Sequence, residues 1–557
     1  EIVEWSLTSK RDRLRKNVGL GGADQVLYSQ DSSRIYFTTR GTISSWDFMD
    51  PDAEFETFAS IPRRCEALRA DSDGLLALTE GGYLSRYNYS GELKSRLRLG
   101  NAALFDLAEN LALLTSGGSV TIVDTATARR IGFFSEFNKG QGWVAVDSVG
   151  RFDGNEEGFK RLAFDLGNQT YPLSAFFNKY YQPGILKDIL EVEVGTRSLP
   201  TLSATNVQKP PSVSISEPAS GEVIQTRDLK VTVKVEDEGS GVSEVSLFHN
   251  GHRLPDSSMK KIDGGYQFEV KAVRGTNDIY ASAFTGDRSM EARRARIRVT
   301  APELETRKPR LHLLTVGVDE YKSGLALKFA EDDATAISKT LNSDLYEVGE
   351  RRNLTNQEAT LSGILQAVRE ISQAAEPQDA FVVYLAGHGT VIAGEYYFLP
   401  HDAEVVSDQS LASSSLSAES LAEALRAVPA TKQLLVLDSC HSGAAAPILG
   451  KAVAARSGLE EIRSQQMLAR TSGTFLIAAT QAEAFAYEIP ELKHGVLTYA
   501  LLEGLGLIEG EKSKDEVTAN GLLQSVSNRV PELSEQYIRE RQQVIQYSSG
   551  QDFPLTR

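Results

Sequence analysis

Two apolar segments, DAFVVYLAGHG (379–389) and KQLLVLDSC (432–440), decide the fold of this chain. Each is a near-continuous apolar run, which a β-strand buried on both faces of a sheet requires. Each also ends in a side chain that can react, His388 in the first segment and Cys440 in the second. The functional site of an open α/β sheet lies outside the carboxyl ends of its strands. We therefore expect both residues at the same edge of one sheet.

Segments on either side extend this pattern. RLHLLTVGV (310–318) and TFLIAAT (474–480) are two more buried strands, and QQVIQYS (542–548) is typical of an edge strand. Helical periodicity covers residues 326–342, about 356–372, 415–428, 495–505 and 518–530. The alternation of strands and helices predicts a parallel-rich α/β sheet with helices on both faces, over residues 308–557.

The two strand-end residues form a chemically meaningful pair. A free cysteine thiol is mostly protonated at pH 7, and the thiolate is the nucleophile. A nearby imidazole takes that proton and later delivers it to a leaving amine. Gly387 and Gly389 would let the backbone approach a substrate carbonyl, and the N–H groups of Gly389 and Cys440 suit an oxyanion. Alone, Cys440 would more often be a core thiol and His388 a satisfied loop histidine, but together they predict a catalytic pair.

Six motifs occur here in the order found in a known family: VGVDEY (316–321), LKFAEDDATAI (327–337), YLAGHG (384–389), YYFLP with a following Asp (396–402), LLVLDSCHSG (434–443) and HGVLTYALLEGL (494–505). This part of the chain resembles caspase-type peptidases, in particular metacaspases and prokaryotic orthocaspases. The resemblance covers under half of the chain. It implies the caspase-hemoglobinase fold, with His388 as general base and Cys440 as nucleophile of peptide hydrolysis.

The resemblance also implies a substrate preference. Caspases that cut after Asp place a Gln two residues before the cysteine, where this chain has Asp438. Asp333 matches a second acidic pocket residue of metacaspases, and two carboxylates favour a guanidinium or ammonium group. We expect cleavage after Arg, then Lys, because the planar guanidinium can meet carboxylates bidentately. The alternatives are a structural hydrogen bond for Asp438 and a favourable helix N-terminal charge for Asp333. Ala386 stands where metacaspases often have Ser, which removes one hydroxyl contact from the pocket.

A basic stretch at 444–473 follows the DSCHSG motif, in the region where relatives are often cut. Its candidate processing residues are Lys451, Arg456, Arg463 and Arg470. An enzyme that cuts after basic residues could process itself there, or an upstream protease could cut it. The alternative is an uncleaved surface helix, since EEIRSQQMLAR has helical spacing.

The sequence predicts no cofactor and no bound metal. Calcium-dependent metacaspases carry an acidic cluster near the processing stretch, and here only Glu460 and Glu461 stand there. Calcium is therefore not favoured. The two cysteines, Cys65 and Cys440, make no disulfide framework and no CxxC zinc spacing.

The first 140 residues carry a repeat of ~40 residues, a length typical of WD-type propeller blades. Each copy pairs an apolar strand with an alternating strand across a Gly turn: RIYF with GTISSWD (34–47), LLAL with GGYLSRYN (75–88) and LALL with GGSVTIVD (111–124). Only one copy, at Trp46-Asp47, ends in the Trp-Asp dipeptide after which WD repeats are named. We therefore expect an all-β region with partial propeller-like repeats. A plain β-sandwich is the alternative.

Three further regions complete the multidomain organisation. Residues 141–197 contain an aromatic-rich segment that we interpret as packing between domains, and 198–210 have the composition of a linker. Regularly spaced alternating strands over 211–301 predict an immunoglobulin-like β-sandwich. It lacks the Cys…Trp…Cys pattern of antibody domains.

The net charge and the lengths of the apolar runs limit the classes of partner that we expect. Lys and Arg number 59 and Asp and Glu 75, a net charge of −16 that disfavours nucleic acid and suits basic peptides. No apolar run reaches membrane-spanning length, so we expect no membrane association. A cytoplasmic location is favoured, and export to the periplasm stays open because residue 1 is Glu.

The sequence thus predicts an Arg/Lys-specific cysteine endopeptidase that acts on protein or peptide substrates. Its N-terminal β domains would sense, inhibit or recruit, by binding a regulatory protein or an activating protease. By analogy alone, such architectures suggest bacterial defence or cell death. The alternatives are a catalytically inactive caspase-fold scaffold and a β-domain sensor or interaction protein.

Overall fold

The structure of the chain is a computed structural model. It describes residues 2–6, 11–16, 23–29, 33–50, 52–100, 103–108, 111–125, 127, 129–138, 142–166, 169–191, 209–302, 307–441, 451–480, 488–489, 492–508, 516–539, 541–548 and 550–556. The chain forms two compact units. The first comprises residues 1–170 and 184–206, and the second comprises residues 171–183 and 207–557.

The first unit is built from consecutive antiparallel sheets. Its strands are Ile2–Ser6 and Arg11–Lys16; Gln25–Tyr28, Arg34–Thr39, Thr42–Asp47 and Glu56–Ser60; Cys65–Asp71, Gly74–Thr79, Tyr83–Tyr87 and Leu93–Arg98; Ala103–Ala108, Leu111–Ser116, Ser119–Asp124, Arg129–Phe137, Gly142–Asp147 and Phe152–Gly154; and Ala163–Leu166. The strand Gln169–Pro172 follows, and the boundary after residue 170 falls within it. Short helices span Glu156–Phe159 and Ile185–Glu191. The expected β-rich region is confirmed, and the WD-type repeat stays a prediction.

The second unit begins with the strap, which we define as residues 171–183, and continues with a β-sandwich. The sandwich strands are Ser212–Glu217, Asp228–Glu236, Met259–Ile262 and Gly265–Lys271 in one sheet, and Ser243–His249, His252–Arg253, Gly275–Phe284 and Ala295–Ala301 in the other. Alternate residues such as Val231 and Val233 are buried between the sheets, as the sequence pattern requires. The predicted immunoglobulin-like architecture is confirmed.

The rest of the second unit is an α/β domain with a mixed sheet. Its strands are β1 (Arg310–Gly317), β2 (Glu347–Thr355), β3 (Ala380–Ile392), β4 (Glu395–Phe398), β5 (Leu416–Ser417), β6 (Lys432–His441), β7 (Phe475–Thr480), β8 (Glu488–Ile489), β9 (His494–Gly495), β10 (Val517–Thr518), β11 (Gln543–Tyr547) and β12 (Pro554–Thr556). The main sheet has the order β2-β1-β3-β6-β7-β11, and β4 pairs with β3 beyond the sheet edge. All neighbours in that order are parallel except β11, which runs antiparallel to β7.

Helices cover both faces of this sheet. They are α1 (Ala330–Thr340), α2 (Leu361–Ala374), α3 (Asp408–Ser414), α4 (Ala418–Ala427), α5 (Lys451–Ser472), α6 (Val496–Gly504) and α7 (Ala519–Ile538). Two apolar clusters result, one on each face, and β3 contributes buried residues to both. None of the helices in the described ranges is long and apolar enough to cross a lipid bilayer.

Several elements of this domain differ from the sequence prediction, which did not include the short elements β4, β5 and α3. β2 was not predicted, because EVGERRNLT is polar and lies at the sheet edge, where its residues are only half-buried. The helix expected to begin near Asn356 begins at Leu361 instead. Thr360 is its N-cap and accepts a hydrogen bond from Gly363, while Asn356 takes a positive φ of 44°.

Helix α5 is held by both the strap and the sandwich. The guanidinium of Arg470 lies 4.2 Å from the ring centroid of Phe177 in the strap, and its Nη2 is 3.8 Å from a carboxylate oxygen of Glu291 in the sandwich. Glu291 is buried, and its pKa would rise from burial, but the charges of Arg294 and Arg470 lower it on balance. Arg463 donates a 2.6 Å hydrogen bond to the carbonyl of Asn178. These contacts fix the C-terminal half of α5.

Arg470→Ala should destabilise the second unit by about 2–3 kcal/mol, because Glu291 would keep only one cationic partner in a buried site. Calorimetric melting of the full chain measures this loss. Arg369→Ala is the matched control, since Arg369 is exposed and hydrogen-bonds Gln366 on its own helix. Equal melting temperatures for the two variants would contradict the interpretation.

Candidate active site

The two reactive residues belong to neighbouring strands. β3 and β6 pair in parallel without a register shift, from Ala380 opposite Lys432 to Gly389 opposite His441. Within this ladder the backbone of His388 lies directly opposite that of Cys440. Cys440 therefore lies near the carboxyl end of β6, and His388 lies beside it where the parallel ladder ends, since β3 continues to Ile392 as a hairpin with β4. This is the edge at which open α/β sheets place their sites.

The imidazole of His388 is buried. His388 is 3% exposed, and within the described part of the chain neither ring nitrogen has a hydrogen-bond partner. Burial lowers the pKa of His388 to about 4, so the ring is neutral at pH 7. A neutral imidazole with both nitrogens unoccupied is able to accept a proton from a thiol. Buried polar groups without partners are rare in proteins and call for a functional explanation.

Two tyrosines fix the backbone around His388. The N–H of His388 donates a 2.7 Å hydrogen bond to the hydroxyl of Tyr321, whose ring centroid is 5.0 Å from the imidazole. Tyr396 and Ser439 share a 2.5 Å hydrogen bond between their hydroxyls. A side chain at Gly387 would place its Cβ 2.8 Å from the Tyr321 hydroxyl, and one at Gly389 would come equally close to the Tyr396 ring. Both glycines are therefore required by close packing.

The two predicted pocket residues lie together. Asp333, in the first turn of α1, is 3% exposed, and Asp438 is half-buried near the end of β6. A methyl group placed on Gly495 would lie 3.1 Å from Oδ2 of Asp333 and 3.3 Å from Oδ2 of Asp438. The two carboxyl groups therefore border one small space.

Burial and mutual repulsion set the acidity of this pair. Desolvation raises the pKa of Asp333 to about 7, and the charge of Asp438 adds to the rise. Desolvation also raises the pKa of Asp438. Both shifts mean that the pair resists carrying two negative charges while no cation is present.

Further residues complete the pocket and were not singled out from the sequence. The Thr498 hydroxyl donates a 2.6 Å hydrogen bond to Asp438, and the Tyr384 hydroxyl lies 3.2 Å from the same oxygen. His494 Nδ1 lies 2.6 Å from Oδ1 of Asp333, and the N–H of Gly495 donates to Oδ2 at 3.0 Å. The HGVLTYALLEGL motif contains three of these residues, but its spacing alone does not indicate which carboxylates they contact.

The remaining candidate site residues lie in β3 and α5. Gly389 lies in β3 directly after His388, and its backbone is paired with that of His441. All four candidate processing residues lie in α5, where Arg463 and Arg470 make the contacts described above. The side chains of Lys451 and Arg456 are outside the described residues. In the part of the chain that the structure describes, no three or more His, Cys, Asp or Glu side chains group as metal ligands would.

Comparison with known families agrees with this organisation. Residues 310–554 match the family model of the caspase domain, and residues 211–282 match that of a bacterial Ig domain. The chain thus carries a caspase-like cysteine peptidase domain preceded by an Ig-like domain. No curated protein matches the chain.

Solved structures add only weak similarities. A protein from Geobacter sulfurreducens is 17% identical over 44% of this chain and 94% of its own, with a TM-score of 0.29. The fibronectin(III)-like modules of Clostridium thermocellum CbhA are 22% identical over 16% of this chain and 94% of theirs, with a TM-score of 0.14. Because both scores are low, the domain assignment rests on the family models.

Asp333→Asn should stabilise the protein at pH 8 by about 1–3 kcal/mol and much less at pH 4. A carboxyl whose pKa is raised from 3.8 to about 7 by folding favours the folded state while protonated, so its destabilising effect grows as the pH rises between those values. Urea unfolding at the two pH values measures the difference. The control is Asp332→Asn, an exposed neighbour on the same helix. A variant that is destabilised equally at both pH values would contradict the prediction.

Proposed function

We propose that this chain, whose residues 310–554 form a caspase domain, is an endopeptidase that cleaves after Arg and, less well, after Lys. The observation that carries the proposal is the pair of carboxyl groups, Asp333 and Asp438, around the space beside Gly495. Asp438 lies two residues before Cys440 on the same strand. A cationic side chain in that space would therefore lie close to the proposed nucleophile.

In the proposed reaction the Cys440 sulfur attacks the scissile carbonyl carbon, and the thiol proton passes to His388. The backbone N–H groups of Gly389 and Cys440 stabilise the oxyanion. The C–N bond breaks as His388 gives its proton to the leaving amine, which leaves a thioester on Cys440. His388 then takes a proton from water, whose oxygen attacks the thioester carbon. The C–S bond breaks, the acid is released, and His388 returns the proton to the Cys440 sulfur.

The charge of the pocket supports a basic residue at the cleaved position. A guanidinium would remove the repulsion between Asp333 and Asp438 and satisfy oxygens that lie in a partly desolvated site. Lysine offers one compact charge and should bind less well. An Asp side chain would add a third negative charge, so the same pocket should reject it.

Regulation is proposed at two levels. The N-terminal β region would bind a regulatory protein or an activating protease, and cleavage within 444–473 would release constraints on the catalytic segment. The contacts of Arg463 and Arg470 with the strap favour Lys451 or Arg456 as the cut position. We propose a cytoplasmic enzyme without a cofactor, in a bacterial defence or cell-death response.

Fluorogenic peptides that differ only at the cleaved residue should give turnover for Arg, less for Lys and none for Asp. Cys440→Ala should abolish turnover. Asp438→Ala should lower kcat/KM for Arg peptides by about 2–4 kcal/mol of transition-state stabilisation, because the substrate cation loses its partner. Absence of turnover by the wild type, with no labelling of Cys440 by an arginine ketone, would favour the inactive-scaffold alternative instead.

The kcat/KM for Arg peptides should rise with pH through about 7, because ionised Asp333 binds the cation and its pKa is raised to about 7. Asp438→Asn should move this rise to lower pH while it lowers the maximum, since the repulsive charge is removed. Iodoacetamide is neutral and needs no cation pocket, so the rate at which it alkylates Cys440 measures the reactivity of the thiol independently of substrate binding. A rise that stays at the same pH in the variant would refute the assignment to Asp333.

If the chain processes itself, Cys440→Ala should remain intact while the wild type is cut after Lys451 or Arg456. Intact-mass spectrometry identifies the new termini. Replacement of both residues by Gln should block the cut, with Arg463→Gln as the matched control. Cleavage after Arg463 or Arg470 in the folded protein would show that the α5 contacts do not protect those bonds.

A further inference from the structure

We propose that His494 is a specificity-determining residue: by occupying one oxygen of Asp333, its imidazole keeps that carboxyl in the ionised form that a basic substrate side chain needs. This inference rests on the proposed function, because it concerns the same pocket. It assigns a role to a residue that supplies neither the nucleophile, the base nor a carboxylate.

The geometry of His494 is specific to Asp333. Its Nδ1 lies 2.6 Å from Oδ1, a distance typical of a charge-assisted hydrogen bond, while the neighbouring Gly495 N–H takes Oδ2. The imidazole is 23% exposed, whereas the Asp333 side chain is 4% exposed. The histidine therefore approaches a buried carboxyl from the solvent side, beside the space between the two acids.

Asp333 needs such a partner because burial and the nearby carboxylate of Asp438 both disfavour its negative charge. The titratable groups around it are Asp438 and Tyr384 on the sheet, His494 on β9, and Glu331 and Asp332 on its own helix. Desolvation and the Asp438 charge raise the pKa of Asp333, while the hydrogen bonds from His494 and Gly495 lower it. Without His494, Asp333 would hold its proton to higher pH and offer the substrate a neutral acid.

Gly495 shows that the space beside this histidine has to stay open. Its φ of −60° and ψ of 150° are ordinary for any residue, so backbone conformation does not require glycine here. A methyl group would contact both carboxylates at the distances given above. The His-Gly step thus supplies Asp333 with one hydrogen bond from the imidazole and one from the backbone, and it places no side chain between the two carboxylates.

The test compares His494→Ala with His494→Asn, using Arg and Lys peptides between pH 5.5 and 8.5. The Ala variant should lose about tenfold in kcat/KM for Arg peptides at pH 7, with most of the loss in KM, and its pH profile should move up by about one unit. The Asn variant should stay close to the wild type, because its amide can donate from the position of Nδ1. Lys493→Asn is the matched control beside the pocket, since Lys493 is exposed and has a positive φ that Asn tolerates.

Iodoacetamide alkylation of Cys440 distinguishes a failure of the inference on His494 from a failure of the proposed function. If the wild type cleaves Arg peptides but the Ala variant keeps the wild-type pH profile, the inference on His494 is wrong and the proposed function stands. An equal loss at every pH, or an Asn variant that behaves like Ala, overturns it as well. If the wild type is alkylated normally yet cleaves no Arg peptide, the proposed function itself fails.

Discussion

The parallel pairing of β3 with β6 is the constraint on which the whole site depends. Both strands are apolar along nearly their full length and are buried between two helical layers, so they have few alternatives to lying side by side. A one-residue slip would turn every side chain to the opposite face of the sheet. The pleat then divides the end of β6 between two environments. Asp438 meets Tyr384 and Thr498, whereas Ser439 meets Tyr396.

Two buried aspartates in this domain show how different surroundings set the pKa of a carboxyl group. Asp379 is buried, yet hydrogen bonds from His312, Arg307 and backbone amides outweigh desolvation and lower its pKa to about 2. Asp333 is equally buried but faces a second carboxyl, and its pKa rises to about 7. Asp333 and Asp438 repel each other, and a basic ligand would offset that repulsion. Carboxyl groups with pKa values shifted in this way are common at binding sites.

The sequence predicted the buried strands and most helices of the C-terminal domain because their apolar runs and periodicities are strong. It also predicted that Asp333 and Asp438 would come together, through the family resemblance. It missed β2, since an edge strand needs no apolar pattern, and it missed the roles of His494, Thr498 and Tyr384. Those roles depend on contacts between residues more than 50 positions apart, and no local pattern encodes such contacts.

Helix α5 links β6 to the rest of the second unit, and its C-terminal half is held by contacts with other elements. It follows β6 in the chain and precedes β7, while Arg463 and Arg470 in its C-terminal half contact the strap and the sandwich. A chain break before Arg463 would leave these contacts intact and still separate the end of β6 from the anchored part of the helix. A break after Arg470 would require the buried contacts of Glu291 to be lost first. Through these contacts with α5, the sandwich is part of the support of the peptidase domain.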